Sequence, residues 1–300
     1  MKEFLNKIII TFLIILTFVF IILFNGMSPG KMLDKFNLDS NFIDDIKYLF
    51  VEKDQLLDVD EKSLVNEPYI PSKYPENYKF IGDGKTIINQ KDMKLLRSEG
   101  SKEGWVKYSN LDNKGRSREV FSLIDYEAVY KNSSAVKERP SFDSNLKIAG
   151  EFSDGTFNIF TRSWDGEQRN NRIEQLSNYR GYIYNKSHLL AWSLGGDMKA
   201  HNVILGTRAQ NVGTNRGQGS GGMGYIESIV RNSLYNNKSL KVYYHVKPVY
   251  KEDELIPRGV RVRAYSLNDE GRTLNIDIWT FNAQPDVTID YVNGTYKKQI

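Results

Sequence analysis

The 300-residue chain has three histidines and no cysteine. That excludes a thiol nucleophile, thiolate-ligated zinc and iron–sulfur clusters, and leaves too few ligands for a multi-histidine metal site. The richest run of reactive side chains lies between residues 185 and 230, where NKSHLLAWSLGG is followed by HNVILGTRAQNVGTNRGQGSGGMGYIESIV. His188 comes directly after a strand-like segment. An imidazole there titrates close to neutral pH and suits proton transfer. Asn202 and Asn211 follow soon after, and then the carboxylate Glu227. Turning ~100° per residue puts Met223, Ile226, Val230 and Leu234 on one side of a helix, with Glu227 bordering that stripe. A carboxylate in such a place needs a partner, since solitary burial is costly. Two readings stay open on this ground alone: a flanking charge paired with an Arg such as Arg231, or a functional acid. His201 and His245 read as surface or strand residues rather than ligands. The tyrosines at 179, 182, 184, 243 and 244 read as edge-of-core residues, with base stacking as the alternative.

The elements that must position these residues follow from periodicity. Residues 240–250, 255–265 and 274–281 are rich in Val, Ile and aromatics with turn residues between them, and predict strands. Residues 181–184 predict a short strand leading into His188, residues 223–234 predict a helix, and the polar run 162–172 predicts a loop. No internal repeat or low-complexity tract is visible from 68 onward. The expected class is α+β, an antiparallel sheet core with helices packed against it.

Ahead of this region the chain changes character. Residues 8–24, IIITFLIILTFVFIILF, carry no charge and are preceded by Lys2 and Lys7. As a helix the run would be about 25 Å long, slightly short of a hydrocarbon core. We expect residues 1–27 to be a membrane anchor, in preference to a cleaved secretory signal. Residues 28–77 are expected to be an acidic spacer, and 78–300 the main domain. The overall charge of +4 divides into +1 for residues 1–30, −5 for 31–67 and +8 for 68–300. A basic domain beyond an acidic spacer points to a polyanionic partner, whether nucleic acid, teichoic polymer or lipid.

The segment around His188 resembles the DNA/RNA non-specific endonucleases of the DNA-entry type, which have a ββα-metal active site. Their D-R-G-H signature, N-R-[SC]-H in a large subgroup, reads Asn185-Lys186-Ser187-His188 here. The family's N-[LI]-[IV]-T-G-T-R-x-x-N-V is similar to the run from Asn202 to Val212, and its F/Y-x-E helix to Tyr225-Ile226-Glu227. Further blocks resemble the chain upstream, at Tyr108-Ser109-Asn110-Leu111-Asp112 with Gly115-Arg116, and downstream, at Pro248-Val249-Tyr250, Arg258-Gly259-Val260 and Asn282-Ala283-Gln284-Pro285. The likeness runs from about Tyr78 to Tyr291.

The resemblance implies a metal-dependent endonuclease that cleaves DNA, and RNA as a second substrate, to leave 5′-phosphate ends with little base preference. It implies that His188 is the general base and that Asn211 binds one Mg²⁺, with Mn²⁺ as an alternative. Glu227 would hold water of the metal shell. Lys186 and Arg208 would stabilise charge on the phosphate, and Asn185, Asn202, Arg180 and Arg216 would serve substrate binding and positioning. An immunity or inhibitor protein would suit an active nuclease, although no residue reveals one. Two departures stand out. Lys186 replaces the signature Arg and loses its bidentate geometry. A Gly-rich insertion, GTNRGQGSGG, separates Asn211 from Glu227 and is either a loop over the groove or a plain long connection. Two other function classes compete: a catalytically weak surface receptor for nucleic acid, and an envelope protein that binds anionic polymer.

Overall fold

The structure is a computed structural model that describes residues 59–213 and 221–299. In chain order it contains α1 (Val59–Leu64), β1 (Tyr78–Phe80), α2 (Gln90–Glu99), β2 (Trp105–Tyr108), β3 (Val120–Ile124) and α3 (Tyr126–Lys131). Three hairpins follow: β4 (Thr156–Asn158) with β5 (Ser163–Asp165), β6 (Ile173–Gln175) with β7 (Arg180–Tyr182), and β8 (Tyr184–His188) with β9 (Val203–Thr207). Then come α4 (Arg208–Val212), α5 (Gly222–Asn236), the long strands β10 (Val242–Val249), β11 (Gly259–Ser266) and β12 (Asn275–Phe281), and a last hairpin of β13 (Val287–Ile289) and β14 (Tyr296–Lys298).

The centre is a six-stranded antiparallel sheet in the order β1-β12-β11-β10-β3-β2. Side chains alternate across it as the pleat requires. On one face, Val242, Tyr244 and Val246 join Val260, Val262, Ala264 and Ile278 against Met223, Ile226, Val230 and Leu234 of α5. On the other, Tyr243 and Phe121 pack with Leu96 of α2. The α+β expectation is met, and the expected strands and helix appear within a few residues of their predicted bounds.

Three differences have local causes. The expected strand at 181–184 is divided at Ile183, because the chain there leaves β6 and pairs with β9 instead. The run 162–172, expected as a loop, contributes β5, since Trp164 is buried and its indole N–H donates to the Gly115 carbonyl at 3.0 Å. Of the segment expected as a spacer, 28–77, the described residues from 59 onward contribute to a core, and the rest lies outside the described residues. Leu64, Val65 and Tyr74 are buried against Val249, Trp279 and Phe281, and Glu61 pairs with Lys247 at 2.7 Å. The apolar residues scattered among those acids are core residues, which net charge conceals. Among the described residues no helix is long and apolar enough to cross a membrane; the run at 8–24, read as an anchor, lies outside them.

The β8–β9 hairpin stands between two cores. Ile204 belongs to the main one, whereas Tyr184, Val203 and Leu205 enter a second with Ile148, Leu176, Ile256 and Val287. It is tied to the end of β12 by side-chain amides. Asn282 Oδ1 accepts from Thr207 N at 2.7 Å, while its Nδ2 donates to the carbonyls of Leu205 and Pro257 at 3.1 and 3.0 Å. Gln284 Oε1 accepts from Ala209 N at 3.0 Å. Asn282 is fully buried, so removing it strands one donor and two acceptors in a dry setting. Asn282→Ala is expected to lower stability by about 2–4 kcal/mol in urea unfolding. A loss below about 0.5 kcal/mol would show that the tie is not needed.

Candidate active site

Local sequence fixes how β9 passes into α4 and α5. Thr207 caps α4, its hydroxyl accepting from Gln210 N at 3.0 Å, and Gly213 stops the helix at φ +85°. The next helix begins at Gly222, which sits at φ +54°, where a Cβ would meet Gln210 O at 2.3 Å. Only glycine allows α4 and α5 to come this close, and the approach brings Asn211 to the same cleft as Glu227. The loop between β8 and β9 is held from inside by Asn202. Its Oδ1 accepts from Leu190 N at 2.8 Å, and its Nδ2 donates to the carbonyls of Leu190 and Asp197 at 2.9 and 2.8 Å.

These elements enclose a cleft of 560 Å³ whose walls include His188, Lys186, Asn211 and Glu227, together with Arg139 and Arg231. His188 ends β8 and is 8% exposed, with Phe142 stacked on its ring at a centroid distance of 4.9 Å. Its Nε2 lies 3.0 Å from Met198 Sδ. A thioether only accepts, so a hydrogen bond at this contact assigns the proton to Nε2 and leaves the Nδ1 lone pair free. Burial, reinforced by the Arg139 charge, lowers the imidazole to about 4. The ring is therefore neutral at physiological pH. Burial acts oppositely on Glu227, pushing its carboxyl up to about 7 against the pull of Arg231 and Arg139. Among the described residues, Glu227 has no hydrogen bond or ion pair. Asn211 Oδ1 accepts from Ser187 Oγ at 3.2 Å, which fixes the amide and leaves a second lone pair on that oxygen.

Other expected site residues lie elsewhere. Asn202 is wholly buried and its amide is fully used on backbone, so it positions the loop that follows His188 and does not meet substrate. Lys186 lines the cleft, yet its ammonium donates to the Leu146 carbonyl and lies 3.4 Å from the buried Glu151 carboxylate. Asn185, Arg180 and Arg208 are not among the cleft-lining residues; Arg180 is exposed on β7, and the Arg208 side chain interacts with Tyr179. Arg216 lies outside the described residues. His201 pairs with Asp197 at 2.8 Å, and His245 stacks on Phe121 within the sheet, so both are structural.

Sequence reasoning missed Arg139. It follows α3 in an irregular segment with no periodicity or motif to mark it. Its exposed guanidinium lies 5.9 Å from the centre of the Phe142 ring, the ring that covers His188. Unlike Lys186, Arg139 has no carboxylate partner among the described residues.

Comparison with known proteins finds nucleases. Residues 154–268 match the profile of the DNA/RNA non-specific endonuclease family. A deoxyribonuclease of Streptococcus dysgalactiae subsp. equisimilis is 28% identical over 257 residues, covering 77% of this chain and 75% of that protein. The Sda1 nuclease, solved with a bound zinc ion, is 29% identical with a TM-score of 0.62, covering 77% of this chain and all of that one. NucA from Streptococcus agalactiae, solved with a magnesium ion, shares the fold at 18% identity and a TM-score of 0.51, covering 81% of this chain and 97% of that one. The matched segment contains His188, Asn211 and Glu227, so the groups of the cleft lie in the part of the chain that is similar to the DNA/RNA non-specific endonuclease family.

Proposed function

We propose that the chain hydrolyses phosphodiester bonds of DNA, and of RNA as a second substrate, to 5′-phosphate ends, with His188 as general base and one divalent metal ion held by Asn211 and Glu227. The observation that carries this reading is one cleft that sets the Glu227 carboxyl, free of hydrogen bonds among the described residues, with the Asn211 amide oxygen and a neutral imidazole. A carboxylate in a cleft wall whose oxygens make no such bond, even with Arg231 and Arg139 nearby, has donors to offer a cation. Among the described residues no three His, Cys, Asp or Glu side chains gather to hold a metal. One amide and one carboxylate suit Mg²⁺, which keeps most of its water and favours oxygen donors, with Mn²⁺ the alternative. Zinc and magnesium in the related structures support a divalent ion without choosing between them. The ion would neutralise charge on the scissile phosphate and the leaving oxygen.

The chain's own groups do the rest. His188 Nδ1 takes the proton of the attacking water. Its pKa, depressed by burial, rises again when a phosphodiester charge settles beside the ring. Arg139 faces the charge that develops on phosphorus and takes the part expected of Lys186, whose charge Glu151 already matches. Asn202 holds the backbone that follows His188. The roles given to His188, Arg139 and the metal ion all concern the phosphate, which supports a lack of sequence preference. The apolar run at 8–24 supports export, with the domain outside the cell and either tethered or released. An inhibitor protein that protects the producing cell is compatible with this reading.

Plasmid nicking should require a divalent ion and stop in EDTA. His188→Ala is expected to lower kcat by at least about 100-fold; normal cleavage by that variant would reject the assigned base. Arg139→Ala should cost roughly 10- to 100-fold in kcat with partial recovery in Arg139→Lys, whereas Lys186→Ala should cost less. The reverse ranking would return the phosphate role to Lys186. Glu227 supplies a pH test. Its folded-state pKa is raised, so the metal-free protein holds an extra proton and loses stability as pH climbs from about 4.5 towards about 7. Bound metal must displace that proton. The rise in Tm on adding Mg²⁺ or Mn²⁺ should therefore be larger at about pH 8 than at about pH 5, and the difference should vanish in Glu227→Gln. Equal rises at both pH values would remove Glu227 from the metal site.

A further inference from the structure

Aromatic rings continue past the cleft along one wall. Tyr235 lines the cleft and is 40% exposed. Its ring stands edge-on to Tyr126 at 5.8 Å, and Tyr126 stacks with Tyr130 at 5.7 Å; Tyr130 is 46% exposed. Lysines cover the same wall. Lys238 Nζ lies 4.7 Å from the centre of the Tyr126 ring, and Lys137 Nζ lies 5.0 Å over Trp192, itself a cleft residue. The two segments that build the wall, 126–139 and 231–238, hold five Lys or Arg against two Glu. A single exposed tyrosine needs no explanation. Rings in mutual contact, interleaved with cations and opening from a catalytic cleft, match the two surfaces of a nucleotide chain: base faces that stack and phosphates that attract cations.

We propose that this wall is a stacking platform for unpaired bases beside the scissile phosphate, so that the enzyme favours single-stranded nucleic acid over intact duplex. In a duplex the bases are stacked on one another, and only the phosphates are free to meet the lysines. In a single strand each base can turn out onto Tyr130 or Tyr235 while the adjoining phosphates lie over Lys137 and Lys238. The inference rests on the nuclease reading for its consequence in cleavage. Binding to the platform can be measured without catalysis.

The test uses Tyr130→Leu and Tyr235→Leu, both at exposed positions, with Tyr130→Phe and Tyr235→Phe as conservative partners. Binding of one labelled mixed-sequence oligonucleotide, single-stranded and as its duplex, is measured in EDTA by fluorescence anisotropy; KM and kcat for both forms are measured with Mg²⁺. Each Leu variant should weaken single-strand binding and raise single-strand KM by roughly five-fold or more, the loss of one stacked base. For Tyr130→Leu, which lies outside the cleft lining, duplex KM and kcat should change by less than about two-fold, the size of an ordinary surface substitution. The Phe variants should behave as wild type. Equal losses on both substrates, or none, would overturn the platform and leave the nuclease reading intact. Selective loss of single-strand binding in a protein that cleaves neither form with metal would uphold the platform and overturn the nuclease reading.

Discussion

The site depends on buried side-chain amides that satisfy main-chain groups no regular element can reach. The β8–β9 hairpin is only two strands wide and pairs with no strand of the central sheet. Two strands alone are marginal in water. Asn202 closes its loop from within, and Asn282 with Gln284 ties its far end to β12. Each is a short, fully specified bridge in a dry setting, where a lost partner costs more than a made bond gains. Through them the hairpin gains the rigidity of the large sheet. The His188 side chain at the end of β8 is thereby held in place in an otherwise loop-rich region.

Burial then separates the two titrating groups. One cleft lowers an imidazole and raises a carboxyl, so near neutral pH one is a ready proton acceptor and the other can exchange its proton for a cation. The cations around them divide by partner. Lys186 is matched by Glu151, Arg231 lies near Glu227 and donates to Ser193 at 3.4 Å, and Arg139 has no ion pair among the described residues. The aromatic wall beyond carries the same basic and apolar character out to solvent. The +8 of residues 68–300 is thus not spread evenly, and part of it is concentrated along one rim of the cleft.

The sequence by itself determined the parts of this protein that depend on local periodicity and short motifs. The strands near 240–281 and the helix from Met223 are visible because half-buried elements alternate at periods of 2 and 3.6. His188, Asn211 and Glu227 could be named because the short motifs around them resemble those of a known nuclease family. Tertiary structure decided the rest. Asn202 and Lys186 have the residue types of substrate contacts, and only their three-dimensional partners, the Leu190 backbone for one and Glu151 for the other, show how they are used. Arg139 carries no sequence signal because only the fold brings it into the cleft that also holds His188, a residue distant in the chain. The acidic residues around Leu64 and Tyr74 read as a spacer because charge dominates composition, yet the folded domain buries the few apolar side chains among them. Local pattern reports which face of an element is buried. It cannot report which distant group completes a charge, a hydrogen bond or a cleft, because that partner is chosen only when the chain folds.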